Sequence, residues 1–302
     1  MPPSRVQRSM LSVPASRPAL YPKAARSGAD QVMIDLEDAV APDDKEAARA
    51  LVVGGISGVD WEASGQTLTV RINDTGTPWM EDDIRTVVTG AGALIDTLMI
   101  PKVTGPRDVT TVAALLDELE TALGLSKTIG LEVLIETSRG LAYVNSVADA
   151  HPRLEALHFG AGDFGASMGA RTLSIGDGAG MGNRWHAVQT MIAVAARAHG
   201  LRPIDSAYDD FHDDEGYLAA AEAAAGLGYE GKWAIHPRQV PLANRVFSPT
   251  PDEVASAQGL LDALDAAAAE GRGAARYQGK MIDAASARLA ENILRIAERV
   301  AR

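Results

Sequence analysis

Short apolar runs of strand length alternate along this chain with segments in which apolar residues recur at helical spacing. Eight such runs are bounded by polar or turn-forming residues, as buried β-strands usually are. The segments between them place apolar residues three or four positions apart, which predicts helices that cover the strands. The predicted strands are 9–13, 31–36, 67–72, 97–100, 130–135, 156–159, 201–204 and 232–235, and the clearest predicted helices are 45–53, 109–123, 139–148 and 183–198.

The number of strand–helix units decides the fold class. Eight units in one chain favour an α/β fold of the TIM (β/α)8 barrel type over an open doubly wound sheet. The glycine-rich G-x-G-x-x-G motif of dinucleotide-binding sheets does not follow the first strand, which disfavours that alternative. We therefore predict a TIM-barrel domain over residues 1–248.

Residues 249–302 follow the last predicted strand–helix unit, and their pattern predicts a C-terminal helical extension. Thr250-Pro251-Asp252-Glu253 combines a capping hydroxyl, a proline and acidic residues, as the start of a helix does. Gly271-Arg272-Gly273 ends that helix, a loop-like stretch continues through Gly279, and a last amphipathic helix covers 284–302. A hinge, a loop and a helix beyond a complete barrel are typical of a lid or of an arm that reaches a neighbouring subunit.

Polar groups follow nearly every predicted strand at its carboxyl end, whereas the amino ends show no such pattern of polar groups. The carboxyl ends of barrel strands meet at one rim, and TIM-barrel enzymes carry out their chemistry there. Glu136 and Asp163 follow neighbouring strands and lie 27 residues apart (163 − 136), about one strand–helix repeat. Two converging carboxylates in a chain without cysteine favour a hard cation, most simply Mg²⁺.

The charge balance restricts the partners of this 302-residue chain. Its formal net charge is −12, from 28 basic and 40 acidic residues, and no run of Lys or Arg suggests a nucleic-acid surface. No apolar stretch approaches the ~20 residues of a membrane span, and the first residues lack a secretory h-region, so we expect a cytoplasmic protein. An anionic substrate would need local cations. The candidates are Arg5, Arg8, Arg17, Lys23, Arg26, Arg71 and Lys102.

An ordered set of short motifs resembles the citrate lyase beta subunit-like branch of the HpcH/HpaI aldolase family. The resemblance runs from residue 8 to about residue 283. It implies a TIM barrel, usually oligomeric as a trimer or hexamer, that makes or breaks a carbon–carbon bond between a 2-oxo acid and an acyl-CoA with Mg²⁺. The motifs are RSMLSVP at 8–14, SGAD at 27–30, DLEDAVAP at 35–42, RIN at 71–73, PKV at 101–103, IET at 135–137, IHP at 235–237 and GKMID at 279–283.

The resemblance also implies roles for single residues. Glu136 and Asp163 match the metal ligands of the family, and Arg71 matches the arginine that contacts the oxo acid. Arg17 and Lys23 fall where the family binds the CoA phosphates, at the start of the first predicted helix. Asp283 matches a lid aspartate that acts as acid or base, often on a neighbouring subunit.

Each of these assignments has a structural alternative. Glu136 can instead pair with an arginine such as Arg139, and Asp163 can cap the following helix. Glu37 and Asp38 also face the predicted rim, where they can hold metal-bound water or orient Arg71. The alternative for these two is loop solvation or an ion pair with Lys45. Arg17 and Lys23 can be ordinary surface cations.

Asp283 is the most ambiguous of the candidates. It immediately precedes a helix-forming segment, where an aspartate is a good N-cap, and capping lowers the pKa of a carboxyl group. A general base for the α-carbon of an acyl-CoA works better with a raised pKa. Burial under a closed lid would supply that environment, whereas an exposed cap would not.

The resulting hypothesis is a Mg²⁺-dependent lyase that reversibly cleaves a 3-hydroxyacyl-CoA, similar to malyl-CoA, citramalyl-CoA or hydroxymethylglutaryl-CoA, into an acyl-CoA and a 2-oxo acid. Thioester hydrolysis after condensation, as in malate synthase, would be a further activity of the same site. One rival is an aldolase that acts on free hydroxy-diacids without CoA. Another is a subunit of a citrate lyase complex that acts only on an acyl-carrier thioester, or a binding subunit without activity.

Overall fold

The computed structural model describes residues 5–171, 174–175 and 184–301. Within these residues, eight parallel strands form a closed barrel in chain order, so the predicted TIM barrel is confirmed. Each observed strand begins and ends within two residues of its predicted position. The strands are β1 (Ser9–Pro14), β2 (Gln31–Asp35), β3 (Thr67–Arg71), β4 (Thr97–Ile100), β5 (Gly130–Ile135), β6 (Leu154–Phe159), β7 (Arg202–Asp205) and β8 (Gly231–Ala234).

Helices connect these strands. One predicted helix, over 139–148, was wrong as a continuous element, because the backbone of Tyr143 leaves the helical region (φ −109°, ψ 16°) and separates two short helices. The helices that begin in the barrel are α1 (Tyr21–Ala24), α2 (Lys45–Ser57), α3 (Trp61–Ser64), α4 (Met80–Ala91), α5 (Pro106–Leu123), α6 (Ser138–Ala142), α7 (Val144–Ala148), α8 (Ala161–Ser167), α9 (His186–Ala198), α10 (Asp214–Gly226) and α11 (Val240–Val246).

The strands are buried on both faces, which explains why they read as near-continuous apolar runs. The larger apolar cluster lies between the strands and the surrounding helices. A smaller cluster fills the inside of the barrel and consists of Met10, Met33, Met99, Leu134, Ala156, Ile204 and Trp233. These side chains come from different strands, so their packing stabilises the closed barrel. The rim at the carboxyl ends of the strands therefore lies above a packed interior.

Part of the barrel interior is polar. Glu132, which is fully buried, accepts hydrogen bonds from Gln7, Gln31 and Thr97 and contacts His158. A buried charge is tolerated only when it is paired and hydrogen-bonded, and this cluster meets that condition.

Two compact units divide the chain, Met1–Arg245 and Val246–Arg302. The second unit contains α12 (Pro251–Ala269), β9 (Ala275–Tyr277), β10 (Lys280–Ile282) and α13 (Ala284–Val300). The stretch expected to be a loop thus includes a hairpin, whose Gln278 and Gly279 both take positive φ, as a tight two-residue turn requires. No helix in the described parts of the chain is long and apolar enough to cross a membrane.

Candidate active site

A cavity of about 210 Å³ opens in the barrel unit beside residues at the carboxyl ends of several strands. Its lining combines apolar side chains, including Trp233, with the charged side chains of Arg71, Glu136 and Asp163. This distribution suits a small polar molecule with a compact carbon skeleton. The lining residues are Ser12, Arg71, Leu134, Glu136, Phe159, Gly160, Ala161, Gly162, Asp163, Ile175, Ala207, Trp233 and Ile235.

Arg71 ends β3 and is held from two sides by carboxylates. Its Nε and Nη2 donate to the two oxygens of Asp35 at 2.8 and 2.6 Å, and its Nη1 lies 3.0 Å from Glu37 Oε2. Burial opposes the charge of the guanidinium, but Asp35 and Glu37 outweigh it and raise the pKa of Arg71. Arg71 is therefore a permanently charged group with a fixed orientation beside the cavity.

Lys102 follows β4 and contacts four of the acidic residues at this rim. Its ammonium pairs with Glu37 and with Asp38, at 2.9 Å from the latter, and lies 3.9 Å from Asp163. Its backbone N–H donates to Glu136 Oε1 at 2.8 Å. Lys102 is one of the two described residues other than glycine with positive φ (50°), and this strained backbone directs its N–H toward Glu136.

Glu136 follows β5 and is almost completely buried, with 2% of its surface exposed. Burial, together with the nearby charges of Glu37 and Asp163, raises the pKa of Glu136 well above its ordinary value. Gly160 packs against it so closely that a Cβ at this glycine would lie 2.5 Å from Glu136 Oε2. The carboxylate is thus fixed in position, and nearby positive charge does not fully compensate its negative charge.

Asp163 lies in the first turn of α8, and its side chain is 44% exposed. The structural alternatives for the two acids are not seen in the described residues. Glu136 forms no ion pair there, and the guanidinium of Arg139 lies over the ring of Tyr143 instead. The carboxylate of Asp163 accepts no capping hydrogen bond at the start of α8.

This donor set fits a divalent cation. Among the described residues, no three His, Cys, Asp or Glu side chains converge as a metal site. Mg²⁺ needs only one or two protein carboxylates, because it keeps several waters and positions for substrate oxygens. A buried glutamate whose charge is under-compensated, beside a half-exposed aspartate in the same cavity, meets that requirement.

Glu37 and Asp38 contact cations at the rim, but Lys45 is not their partner. The ammonium of Lys45 donates to the backbone carbonyls of Leu36 and Glu37 instead, and so fixes this loop. Burial raises the pKa of Glu37, whereas the hydrogen bond from Lys102 lowers the pKa of Asp38 despite its partial burial. Glu37 contacts Arg71, and its orienting role stays a prediction.

Arg17 and Lys23 are exposed, and neither forms an ion pair or side-chain hydrogen bond within the described part of the chain. The sequence places both residues at the start of the first predicted helix. Arg17 precedes a single 3-10 turn and Lys23 lies within the four-residue α1, so the helix beside them is too short to add a substantial dipole.

Asp283, in the second unit, is the N-cap of α13. Its carboxylate accepts hydrogen bonds from the backbone N–H groups of Ala285 at 2.9 Å and Ser286 at 3.2 Å, and it is exposed. These bonds lower its pKa. The capping alternative therefore describes this structure, and the acid–base role remains a prediction.

Two residues of the site, Asp35 and Trp233, had no role assigned from the sequence, and Lys102 was named only as a candidate cation for an anionic substrate. Asp35 carries a recognisable signal, since it shares a strand face with Glu37. The isolated position of Lys102 after β4 is a weaker signal. Trp233 gives none, because an aromatic residue in a strand is typical of core packing.

Comparisons with known proteins agree on one family. Residues 8–237 match the family described as HpcH/HpaI aldolase/citrate lyase. An L-malyl-CoA/beta-methylmalyl-CoA lyase from Cereibacter sphaeroides is 46% identical over 99% of this chain and 97% of its own length. A (3S)-malyl-CoA thioesterase from the same species is 35% identical over 91% of this chain and 89% of its own length. Protein CitE from Mycobacterium tuberculosis, solved with magnesium, acetoacetate and coenzyme A, has a TM-score of 0.78 and 31% identity, covering 98% of this chain and 100% of its own.

Proposed function

Because this chain belongs to the HpcH/HpaI aldolase/citrate lyase family, we propose that it is a Mg²⁺-dependent lyase that reversibly cleaves a 3-hydroxyacyl-CoA of the malyl-CoA class into an acyl-CoA and a 2-oxo acid. Family membership confirms the resemblance seen in the sequence, and with it carbon–carbon lyase chemistry at the level of the family. The 46% identity to a malyl-CoA lyase supports the substrate class.

The observation that carries the proposal is the buried, under-compensated carboxylate of Glu136 beside Asp163 and Arg71 in one cavity. Glu136 and Asp163 would hold the Mg²⁺. When bound, the ion supplies Lewis-acid polarisation of the oxo-acid oxygens and fixes their orientation. The complex of CitE with magnesium supports this assignment.

Arg71 would stabilise the oxygen that gains negative charge. Two of its N–H groups are used by Asp35, and the guanidinium cannot turn away from the cavity without breaking both bonds. A donor that is oriented before the reaction stabilises charge without reorganisation when the bond breaks. Glu37 would act as a positioning residue for Arg71 and, with Asp38, for Lys102.

The proton transfers need a base, and we assign this role to Asp283. In the cleavage direction the base takes the proton of the 3-hydroxyl group, the carbon–carbon bond breaks, and its electron pair passes to the thioester fragment as an enolate. Protonation of the enolate carbon gives the acyl-CoA, and the other fragment leaves as the 2-oxo acid. The reverse direction begins with removal of an α-proton from the acyl-CoA.

Arg17 and Lys23 are proposed to bind the CoA phosphates. Both are exposed and free of short contacts in the described part of the chain, so their cationic groups are available to a phosphate. This assignment favours a CoA thioester over a free hydroxy-diacid as substrate.

Removal of either metal ligand tests the proposal. Purified wild-type protein with Mg²⁺ should convert malyl-CoA into acetyl-CoA and glyoxylate. Glu136→Gln and Asp163→Asn should each lower kcat/KM at least about 100-fold, because even outer partners of a metal site contribute factors of 10–100. Each variant should also lose the rise in Tm that Mg²⁺ gives the wild type, since only a bound ion stabilises the fold.

The control is Glu46→Gln, which removes an exposed carboxylate on α2. It should keep both activity and the Mg²⁺-dependent rise in Tm. Near-wild-type cleavage with unchanged Mg²⁺ dependence in either ligand variant would disprove the metal assignment.

Product analysis separates the rival functions. Cleavage of the free hydroxy-diacid indicates a CoA-independent aldolase, and activity on acyl-carrier thioesters alone indicates a citrate lyase subunit. Release of free malate and CoA indicates a thioesterase.

A further inference from the structure

A buried chain of contacts connects the polar interior of the barrel to Arg71. Glu132 Oε2 lies 2.6 Å from His158 Nε2, and the Nε1–H of Trp233 donates to His158 Nδ1 at 2.9 Å. The guanidinium of Arg71 lies over the indole of Trp233, 5.6 Å from the ring centre. Glu132 and His158 are completely buried, and Trp233 is 7% exposed.

The chemistry of the indole fixes the tautomer of His158. An indole N–H can only donate a hydrogen bond, so the Nδ1 of His158 must accept. The ring proton therefore sits on Nε2 and is donated to Glu132. A second proton on Nδ1 would point at the indole N–H, so the imidazole is neutral in this arrangement.

Glu132 is held in place by its buried neighbours. The Nε2 of His158 donates to its Oε2 at 2.6 Å, and the guanidinium of Arg202 lies 3.8 Å from its Oε1. Gln7, Gln31 and Thr97 donate to the same carboxylate. The acceptor that orients His158 is thus fixed in position by several buried contacts.

We propose that His158, held by Glu132, is a positioning residue for the reaction, which acts by fixing Trp233 and through it the wall of the cavity and the orientation of Arg71. Trp233 forms part of the apolar lining of the cavity and contacts the guanidinium with the face of its ring. Without an acceptor for its buried N–H, the indole would turn to find another one. This inference rests on the proposed function, because Arg71 is its endpoint.

Two near-isosteric substitutions test the contacts of the two ring nitrogens of His158 independently. The amide of His158→Gln reaches the position of Nε2 and can still contact Glu132, but it offers no acceptor to Trp233. The amide oxygen of His158→Asn lies near Nδ1 and restores the acceptor while the contact with Glu132 is lost. We expect His158→Gln to lower kcat/KM about tenfold or more and to weaken glyoxylate binding in the presence of Mg²⁺, as measured by calorimetry, and His158→Asn to recover most of both.

A double-mutant cycle tests whether the effect passes through the indole. Trp233→Phe keeps an aromatic face for Arg71 but has no N–H, so His158→Gln should have little further effect in that background. If His158→Gln lowers kcat/KM by the same factor in the wild type and in Trp233→Phe, the proposal is overturned.

Trp61→Phe is the matched control. It removes another buried indole hydrogen bond, from Trp61 Nε1 to the carbonyl of Ile56 at 3.0 Å, and Trp61 does not line the cavity. It should lower Tm and leave kcat/KM and glyoxylate affinity unchanged. If Trp61→Phe and His158→Gln lower kcat/KM equally at equal loss of Tm, the role of His158 is structural only and the proposal is wrong.

NMR tests the arrangement in the wild-type protein without any turnover. The ¹⁵N spectrum should show His158, assigned by comparison with His158→Gln, as the neutral tautomer with its proton on Nε2. A proton on Nδ1 would refute the hydrogen-bond chain. A wild type that binds glyoxylate and shows this tautomer but cleaves no thioester would contradict the proposed function and not this inference.

Discussion

At the scale of single residues, the site has more negative than positive side chains. Five carboxylates and two cations make up the charged cluster, which leaves three negative charges if all are ionised (5 − 2). The two positive charges of a divalent cation would compensate most of that excess. The cluster consists of Asp35, Glu37, Asp38, Glu136, Asp163, Arg71 and Lys102.

Asp283→Asn separates acid–base catalysis from helix capping at the same position. Asparagine caps a helix as well as aspartate does, so the Tm of this variant should stay close to that of the wild type. An amide cannot act as a base, so kcat should fall by about 100-fold or more. Steady-state kinetics and thermal unfolding measure the two effects separately.

Asp60→Asn is the control for that experiment, because Asp60 caps α3 through the N–H of Ala63 in the same way. It should change neither kcat nor Tm. If Asp283→Asn keeps wild-type kcat, Asp283 is a cap only. In that case Asp283→Ala should lower the free energy of unfolding by about 1 kcal/mol with no change in kcat.

At the scale of elements, the segment from β6 into α8 places both proposed metal ligands. Gly160 is the N-cap of α8 and lies against Glu136, which follows β5, while Asp163 enters the cavity from the first turn of the helix. The absence of a Cβ at Gly160 lets the glutamate and the helix approach each other. This glycine is required for packing, since its φ of −109° is accessible to any residue.

Gly160→Ala should therefore displace Glu136 and impair the metal site. The new methyl group would lie 2.5 Å from Glu136 Oε2 and 2.6 Å from its Cβ, closer than such atoms can approach. We expect a loss of about 1–3 kcal/mol in the free energy of unfolding and a weaker response of Tm to Mg²⁺. Denaturant unfolding with and without Mg²⁺ measures both.

Gly54→Ala in α2 provides the comparison, because a Cβ there meets no atom within 4 Å. It should raise the free energy of unfolding by up to about 1 kcal/mol through helix propensity alone. A wild-type response to Mg²⁺ in Gly160→Ala would show that the position of Glu136 does not depend on this contact.

At the scale of the whole molecule, the proposed catalytic groups are divided between two compact units. The barrel unit carries Glu136, Asp163 and Arg71, whereas Asp283 belongs to the unit Val246–Arg302. The family resemblance predicts a homo-oligomer in which the C-terminal arm reaches a neighbouring subunit. In such an assembly, one active site would combine residues from two chains.

Mixing two inactive variants tests this arrangement. If Asp283 acts on the neighbouring subunit, oligomers assembled from Glu136→Gln and Asp283→Asn chains contain some sites with both native residues. Co-expression should then restore part of the wild-type lyase activity, although each variant alone is inactive. Mixed oligomers without recovered activity would show that each chain uses its own Asp283.

Local patterns in the sequence determined the fold and the main candidates for the site. Strand and helix periodicity depends on neighbouring residues, so eight alternating units were sufficient to predict the barrel. The position of Glu136 and Asp163 after successive strands followed from the same pattern, because parallel strands end at one rim. The hairpin β9–β10 was missed, since three-residue strands give too short an alternation to recognise.

Only the tertiary structure decided which charges meet. Lys102 contacts acidic residues that follow three different strands, and Trp233 connects His158 on β6 with Arg71 on β3. These contacts join residues far apart in the chain, and they exist only because the closed barrel turns alternate side chains of every strand toward one axis. The sequence by itself thus determined the fold and the rim that bears the acids, whereas barrel closure decided the partners, orientation and ionisation of those groups.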